Sequence, residues 1–172
     1  VLAYDLEGTE ACELFNTYGV NCVLLKYRVP IRKDQPMYEA PLQDMQRAIA
    51  YTRSHAKEWN IHEDKIGVMG FSAGAHLAAL ASNCYDELSY LPIDMHDQMP
   101  ICPNFALIIY PGFLDGDNFT VAPEIEVSKD TCPTFIVQTQ DDHKLLNSTL
   151  FYYYALKEAR GGQIRGLRPQ PH

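Results

Sequence analysis

The pentapeptide Gly70-Phe71-Ser72-Ala73-Gly74 carries the residue types and spacing that can do chemistry. It follows an apolar run, Lys65 to Met69, and opens a stretch of small residues, Ala73-Gly74-Ala75-His76-Leu77-Ala78-Ala79. A strand that turns sharply into a helix at a serine puts that hydroxyl on display. Neighbours without side chains two residues to either side avoid collision across the turn. The helix N-terminus beneath the serine favours negative charge, and the Ala73 N–H is placed to donate to an oxyanion. A turn that merely joins strand to helix can carry the same five residues. The strand before and the helix after favour Ser72 as a nucleophile.

A nucleophilic serine needs a base, and the base needs an orienting acid. In the order serine, acid, histidine, the acid follows a later strand. The run Thr134 to Gln138 delivers Asp141 and Asp142 just past its end. Asp141 is the expected acid and Asp142 the alternative; their bland reading is a charged turn at a helix start. Six histidines are present: His55, His62, His76, His96, His143 and His172. His55 and His62 flank a helix end and read as surface residues. His76 lies one turn into the helix after Ser72 and reads as packing or capping, while His96 sits in a long loop that can line a pocket. Only His143 and His172 follow the acid. His143 is too close to Asp141 for the usual geometry, and His172 ends a Gly/Pro/Arg-rich tail.

The elements that must position these residues alternate. Val20 to Tyr27 is a near-continuous apolar run, as expected of a strand buried on both faces, and Lys65 to Met69, Phe105 to Tyr110 and Thr134 to Gln138 read alike. A helix is expected from Pro41 to Trp59, with Leu42, Met45, Ile49 and Ala56 on one stripe and Pro41 in its first turn. A second is expected from Ala73 to Ser82. A third runs from Ser148 to Ala159, capped by Asn147 or Ser148 and facing Tyr152, Ala155 and Leu156 inward. On that helix Phe151, Tyr152, Tyr153 and Tyr154 cannot all point one way, so part of the run is core. Strands alternating with helices imply crossovers and a parallel sheet. The two long loops, Asn83 to Asn104 and Pro111 to Pro133, are expected on its rim. A site at the carboxyl ends of the strands directs attention to residues 70–74, 111–118 and 139–143.

With 172 residues the chain has room for one ordinary domain, expected over 1–172. Apolar residues make up 47% and charged residues 21%, a globular composition. A net charge of −8 provides no electrostatic footprint for nucleic acid. No apolar run reaches the ~20 residues that span a bilayer, so no membrane partner is expected. Residue 1 is Val, and no charged segment followed by an apolar one precedes it, so no signal peptide is expected within these residues. The five cysteines, Cys12, Cys22, Cys84, Cys102 and Cys132, are odd in number and share no CxxC spacing, which favours reduced thiols over a disulfide scaffold or a zinc site. The sequons at Asn118 and Asn147 are short enough to arise by chance. No dinucleotide or P-loop fingerprint follows a strand, and no cofactor or metal is expected.

Several segments resemble a carbohydrate-esterase-like group of α/β-hydrolases, the bacterial acetylxylan and feruloyl esterase-like proteins. They are Asp5-Leu6-Glu7-Gly8-Thr9-Glu10, Leu25-Lys26-Tyr27-Arg28-Val29-Pro30, Tyr38-Glu39-Ala40-Pro41-Leu42-Gln43-Asp44 and Ile66 through Gly74. Ile109-Tyr110-Pro111 and the Asp141-Asp142 pair followed by Leu150-Phe151-Tyr152-Tyr153 belong to the same likeness, which runs in order along nearly the whole chain. The resemblance implies an α/β-hydrolase fold, a parallel sheet with helices on both faces, incomplete here at both ends. It also implies hydrolysis of small acyl esters through an acyl-serine, with acetylated plant polysaccharide as the substrate class.

Two departures stand against that group. Its glycine-rich HGGG- or GGGY-type segment, which completes the oxyanion hole, would lie upstream of Val1. Its histidine lies in a segment like GGHGYGLRP, where this chain reads Gly161-Gly162-Gln163-Ile164-Arg165-Gly166-Leu167-Arg168-Pro169. Gln163 thus stands at the histidine's position. An amide has no nitrogen that titrates near neutrality and cannot relay the serine proton. The expectation is a serine carboxylesterase domain in incomplete copy. Beside it stand a non-catalytic descendant that binds a ligand or partner, and an enzyme in which His143, His96 or His172 replaces the base.

Overall fold

The computed structural model describes residues 4–29, 33–83 and 87–161. A π-helical turn, Tyr4–Thr9, leads into α1, Glu10–Thr17. Three further helices follow: α2, Glu39–Ser54; α3, Ala73–Ser82; and α4, Leu146–Ala159. The sheet holds β1, Gly67–Phe71, β2, Phe105–Ile109, and β3, Thr134–Val137, side by side in that order with both pairings parallel. The alternation of apolar runs and helical stretches therefore does build the expected parallel sheet. β1 starts two residues later than Lys65 because the Ile66 backbone is occupied by Asn104, whose side chain accepts the Ile66 N–H at 3.0 Å and whose N–H donates to the Ile66 carbonyl at 2.7 Å.

The register sets Val68, Ala106 and Thr134, then Gly70, Ile108 and Ile136, on one face. α3 lies directly on it. Leu42 and Ile49 of α2, Leu77 and Leu80 of α3, and Tyr152 and Leu156 of α4 join Val68, Ala106 and Ile108 in one core. Tyr152 is fully buried, its hydroxyl 3.1 Å from that of Ser82, whereas Tyr153 and Tyr154 are exposed. Residues of α2, α3 and α4 share the core on this face, and α1 buries none of its own. On the other, Phe105, Phe135 and Val137 keep 38%, 47% and 40% of their surface in solvent.

Two expectations are corrected. Val20 to Tyr27 forms no strand: the segment has no regular structure, and Val20, Val23 and Leu24 are exposed. No sheet edge among the described residues pairs with it, and α1 buries none of its own residues, so no second layer encloses the run. Likewise, neither Asn147 nor Ser148 caps α4. The N-cap is Leu145 without a side-chain bond, and the Asp142 carboxylate accepts the N–H groups of Lys144 and Leu145 instead, each at 3.2 Å. Ser148 is buried and turns to the loop after β2, accepting the Leu114 N–H at 3.2 Å and donating to Asp115.

α2 is anchored at its middle and at its last turn. Arg53 is buried in its last turn, and its guanidinium donates to the carbonyls of Glu63, Pro100 and Cys102 and to the Asn104 side chain, all just before β1 and β2. One turn and a half earlier, Arg47 forms ion pairs with Asp94 at 2.7 Å and with Asp97 at 2.8 Å. Burial alone raises the Asp97 pKa. Bonds from the Tyr90 hydroxyl, Arg47 and the Ile93 N–H outweigh it and hold the carboxyl well below the usual carboxylate range. A folded value below the unfolded ~3.9 contributes stability that is complete above that pH and lost as the pH falls through the folded value. Asp97→Asn is therefore expected to cost about 3 kcal/mol at neutral pH, with a smaller penalty below about pH 4. Urea unfolding of both proteins at neutral and acid pH checks it; a penalty independent of pH would remove the ion pair from the account.

Candidate active site

Ser72 sits where β1 ends and α3 begins, at φ 51°, ψ −117°. A non-glycine residue adopts this left-handed conformation only when its surroundings enforce it. Four hydrogen bonds do so. The Ser72 N–H donates to the Ile109 carbonyl at 3.1 Å, and the Ser72 carbonyl accepts from Gly112, Ala75 and His76 at 3.3, 3.1 and 3.2 Å. The chain leaving β2 thus clamps the peptide units of Ser72 from both sides. That clamp requires a tight bend, and Tyr110, between the two contact points, is itself left-handed at φ 36°.

The glycines flanking the serine differ in role. A Cβ at Gly70 would stand 2.0 Å from the Gly74 carbonyl oxygen and 2.6 Å from the Ala75 nitrogen, so only glycine lets α3 approach the strand. A Cβ at Gly74 would meet nothing nearer than the Tyr27 hydroxyl, at 3.9 Å. The expectation that sterics demand both glycines holds for Gly70 and fails for Gly74. Ala73 is the first residue of α3 and is exposed, so its N–H is one of the orphan donors of a helix start, free to face a substrate oxygen.

Three groups that sequence reasoning did not single out line the other side of the elbow. The Tyr110 hydroxyl donates to the Glu7 carboxylate, and its ring centroid lies 5.9 Å from that of Phe71. Burial and then the Glu7 bond push the Tyr110 phenol up to about 12. Tyr27, whose hydroxyl overlooks Gly74, is raised by burial and by the Glu7 charge. Glu7, Tyr27 and Tyr110 come from three distant segments. The one local signal was a tyrosine directly before Pro111 at a strand's end.

Asp141 lies four residues beyond β3, exposed, with no hydrogen bond to its carboxylate among the described residues. Its carbonyl accepts the His143 N–H at 3.0 Å, and His143 is exposed. Asp142 is engaged in the α4 start described above. His76 is buried on α3 with Nε2 3.2 Å from Glu124, its pKa lowered by burial against the opposing pull of that carboxylate. His96, in a loop that can line a pocket, lies at the opposite end of the sheet from Ser72. Its ring stacks on His55 at 4.9 Å and His55 on Trp59 at 5.1 Å, with the Ser54 hydroxyl 2.8 Å from the His96 Nδ1. These residues follow Arg53, which marks the starts of β1 and β2, whereas Ser72 lies past the end of β1, a strand length of roughly 16 Å away. The loop Asn83 to Asn104 accordingly leads to the amino ends of the strands, and only Pro111 to Pro133 passes the serine. Gln163 and His172 lie outside the described residues. Among the described residues, no histidine ring is hydrogen-bonded to the Ser72 hydroxyl, and no three His, Cys, Asp or Glu side chains gather to hold a metal.

Known proteins are similar to this chain in sequence and in fold. The sequence profile of the BD-FAE family matches residues 7–99, just over half of the chain. Endo-1,4-beta-xylanase B of Butyrivibrio fibrisolvens is 26% identical over 175 residues, covering 90% of this chain and 27% of that protein. Acetylxylan esterase of Xylanibacter ruminicola is 31% identical over 111 residues, covering 64% of this chain and 20% of that protein. Among solved structures, an acetyl ester-xyloside bifunctional hydrolase from Caldicellulosiruptor lactoaceticus superposes with a TM-score of 0.73 at 30% identity, over 87% of this chain and 61% of that one. A carboxylesterase of Lactobacillus plantarum, at 22% identity and a TM-score of 0.71 over 90% of this chain and 62% of its own, shares the fold. The chain spans between a fifth and just over a quarter of the curated relatives it matches.

Proposed function

The chain belongs to the BD-FAE family, and from that premise we propose that it carries the nucleophile, one oxyanion donor and the acid of a serine carboxylesterase for small acyl esters. The observation that carries the proposal is the left-handed Ser72 at the strand-to-helix turn, clamped through Ile109 and Gly112. The Ser72 oxygen attacks the ester carbonyl, and the developing oxyanion takes the Ala73 N–H. Collapse expels the alcohol, which takes its proton from water, and leaves acyl-Ser72, which water then hydrolyses to the carboxylic acid and free Ser72. Asp141 is the orienting acid. Gln163, where the resembling proteins have histidine, takes no proton, so the serine proton passes to water or buffer and acylation is slow. The names of the relatives, an acetylxylan esterase and an acetyl ester-xyloside hydrolase, support acetyl groups on a xylan-type polysaccharide as the substrate class.

The test is p-nitrophenyl acetate with mass analysis of the protein. An acetyl group on Ser72 is expected, with p-nitrophenolate released some 10³-fold faster than by water alone, the level that survives loss of a triad member. Folded protein that releases p-nitrophenolate at the buffer rate and carries no acetyl-Ser72 would overturn the proposal in favour of a non-catalytic binding protein.

A further inference from the structure

The segment that follows α1 doubles back along the helix. Tyr18 and Val20 donate their N–H groups to the Phe15 carbonyl at 3.0 and 3.1 Å, and Gly19, at φ 74°, donates to Asn16. This left-handed glycine just past the helix end reverses the chain. At the far end of the return, Leu24 covers Gly8, with Cδ1 and Cδ2 each 3.1 Å from where a Gly8 Cβ would stand. Two fixed points therefore set the register: Val20 on Phe15 and Leu24 on Gly8. The helical path from Phe15 to Gly8 rises roughly 10 Å, and four extended residues from Val20 to Leu24 cover roughly 13 Å. The two paths run side by side, and their midpoints meet. Cys22 on the return segment falls beside Cys12 on the helix, near enough for the two thiols to interact.

We infer that Cys12 and Cys22 are a built thiol pair that closes to a disulfide on exchange with a small-molecule disulfide such as oxidised glutathione. Cys22 is exposed and Cys12 half-buried, so Cys22 meets the oxidant first. Its thiolate attacks one glutathione sulfur, breaks the glutathione S–S bond and expels glutathione thiolate, which takes up a proton. The Cys12 thiolate then attacks the Cys22 sulfur of the mixed disulfide and expels the second glutathione. Two protein thiols are oxidised, one glutathione disulfide is reduced to two thiols, and the two protons end on glutathione. Burial and the neighbouring Cys12 raise the Cys22 pKa, so closure speeds up as the pH rises through the thiol range. The bond would tie to α1 the segment that bears Tyr27 beside Gly74 and Arg28, which pairs with Asp44 at 2.7 Å. The inference stands apart from the esterase reading, since no step in it uses Ser72.

The experiment equilibrates the full chain in glutathione buffers of graded ratio at two pH values, quenches with iodoacetamide and maps the peptides. Cleavage after Glu13 with a glutamate-specific protease separates the two cysteines, so fragments that stay joined identify the link. The expected result is a Cys12–Cys22 cross-link and an intact mass lower by two hydrogens, formed faster at the higher pH. Cys12→Ser is expected to stop at a glutathione adduct on Cys22, and Cys102→Ser to leave the link unchanged. Circular dichroism confirms that each variant is folded. Glutathione adducts that accumulate on Cys22 in the parent protein without the link, or a link from Cys22 to any other cysteine, would overturn the inference.

Discussion

Ser72→Gly is expected to abolish acyl transfer and, in the same protein, to raise stability. No acetyl group forms at residue 72, because no oxygen remains there to attack. Stability rises because φ 51° strains any residue with a Cβ, a cost of order 1–3 kcal/mol that glycine does not bear. Glycine gives back part of that gain through the greater entropy of its unfolded chain, ~0.5–1 kcal/mol, which leaves a net gain of about 1 kcal/mol. For a chain of this size that is a rise of ~2–4 °C in Tm. Ser72→Ala is the control. It loses the oxygen and keeps the Cβ, so acylation at residue 72 is lost while its stability stays near that of the parent. Thermal and urea unfolding of the three proteins reads the difference. If glycine is no more stable than alanine at position 72, the backbone there stores no strain and the elbow loses its physical basis.

Gly70→Ala is expected to be the most destabilising single-methyl change at this turn, and Gly74→Ala close to neutral. The Gly70 methyl collides with main-chain atoms of Gly74 and Ala75, which cannot rotate away as a side-chain end would. Either α3 lifts from β1 or the turn at Ser72 opens. Both disturb the face on which Ala75, Ala78 and Ala79 are fully buried. A penalty of about 3 kcal/mol or more follows, at the upper end for overpacking. At Gly74 the methyl enters open space in the first turn of a helix, where alanine is the better helix former by up to ~1 kcal/mol. Urea midpoints separate the two. Equal penalties would mean that the helix does not press on Gly70 as described.

The parts of this protein that could be read from residue order were those set by local rules. Apolar runs of strand length alternating with helical stripes demand parallel crossovers, and β1, β2 and β3 pair as that pattern requires. The pentapeptide around Ser72 stood out for a related reason: glycine, serine and a small-residue helix in series leave one compact way to turn. Periodicity misled at Val20 to Tyr27, where an apolar run met neither a strand edge to bond nor a layer to cover it. It was silent on the start of α4, where Asp142 takes the N–H groups that Asn147 or Ser148 was expected to satisfy.

Residue order by itself determined the strand-to-helix turn at Ser72 and the parallel sheet, because strand, turn and helix preferences act over a few neighbouring residues. Only the tertiary structure decided which end of the sheet each loop visits. That placement removed His96 from Ser72, brought Glu7 and Tyr27 to Tyr110, and set Cys22 beside Cys12. Such meetings depend on the direction and register of elements far apart in the chain, and no local preference encodes them.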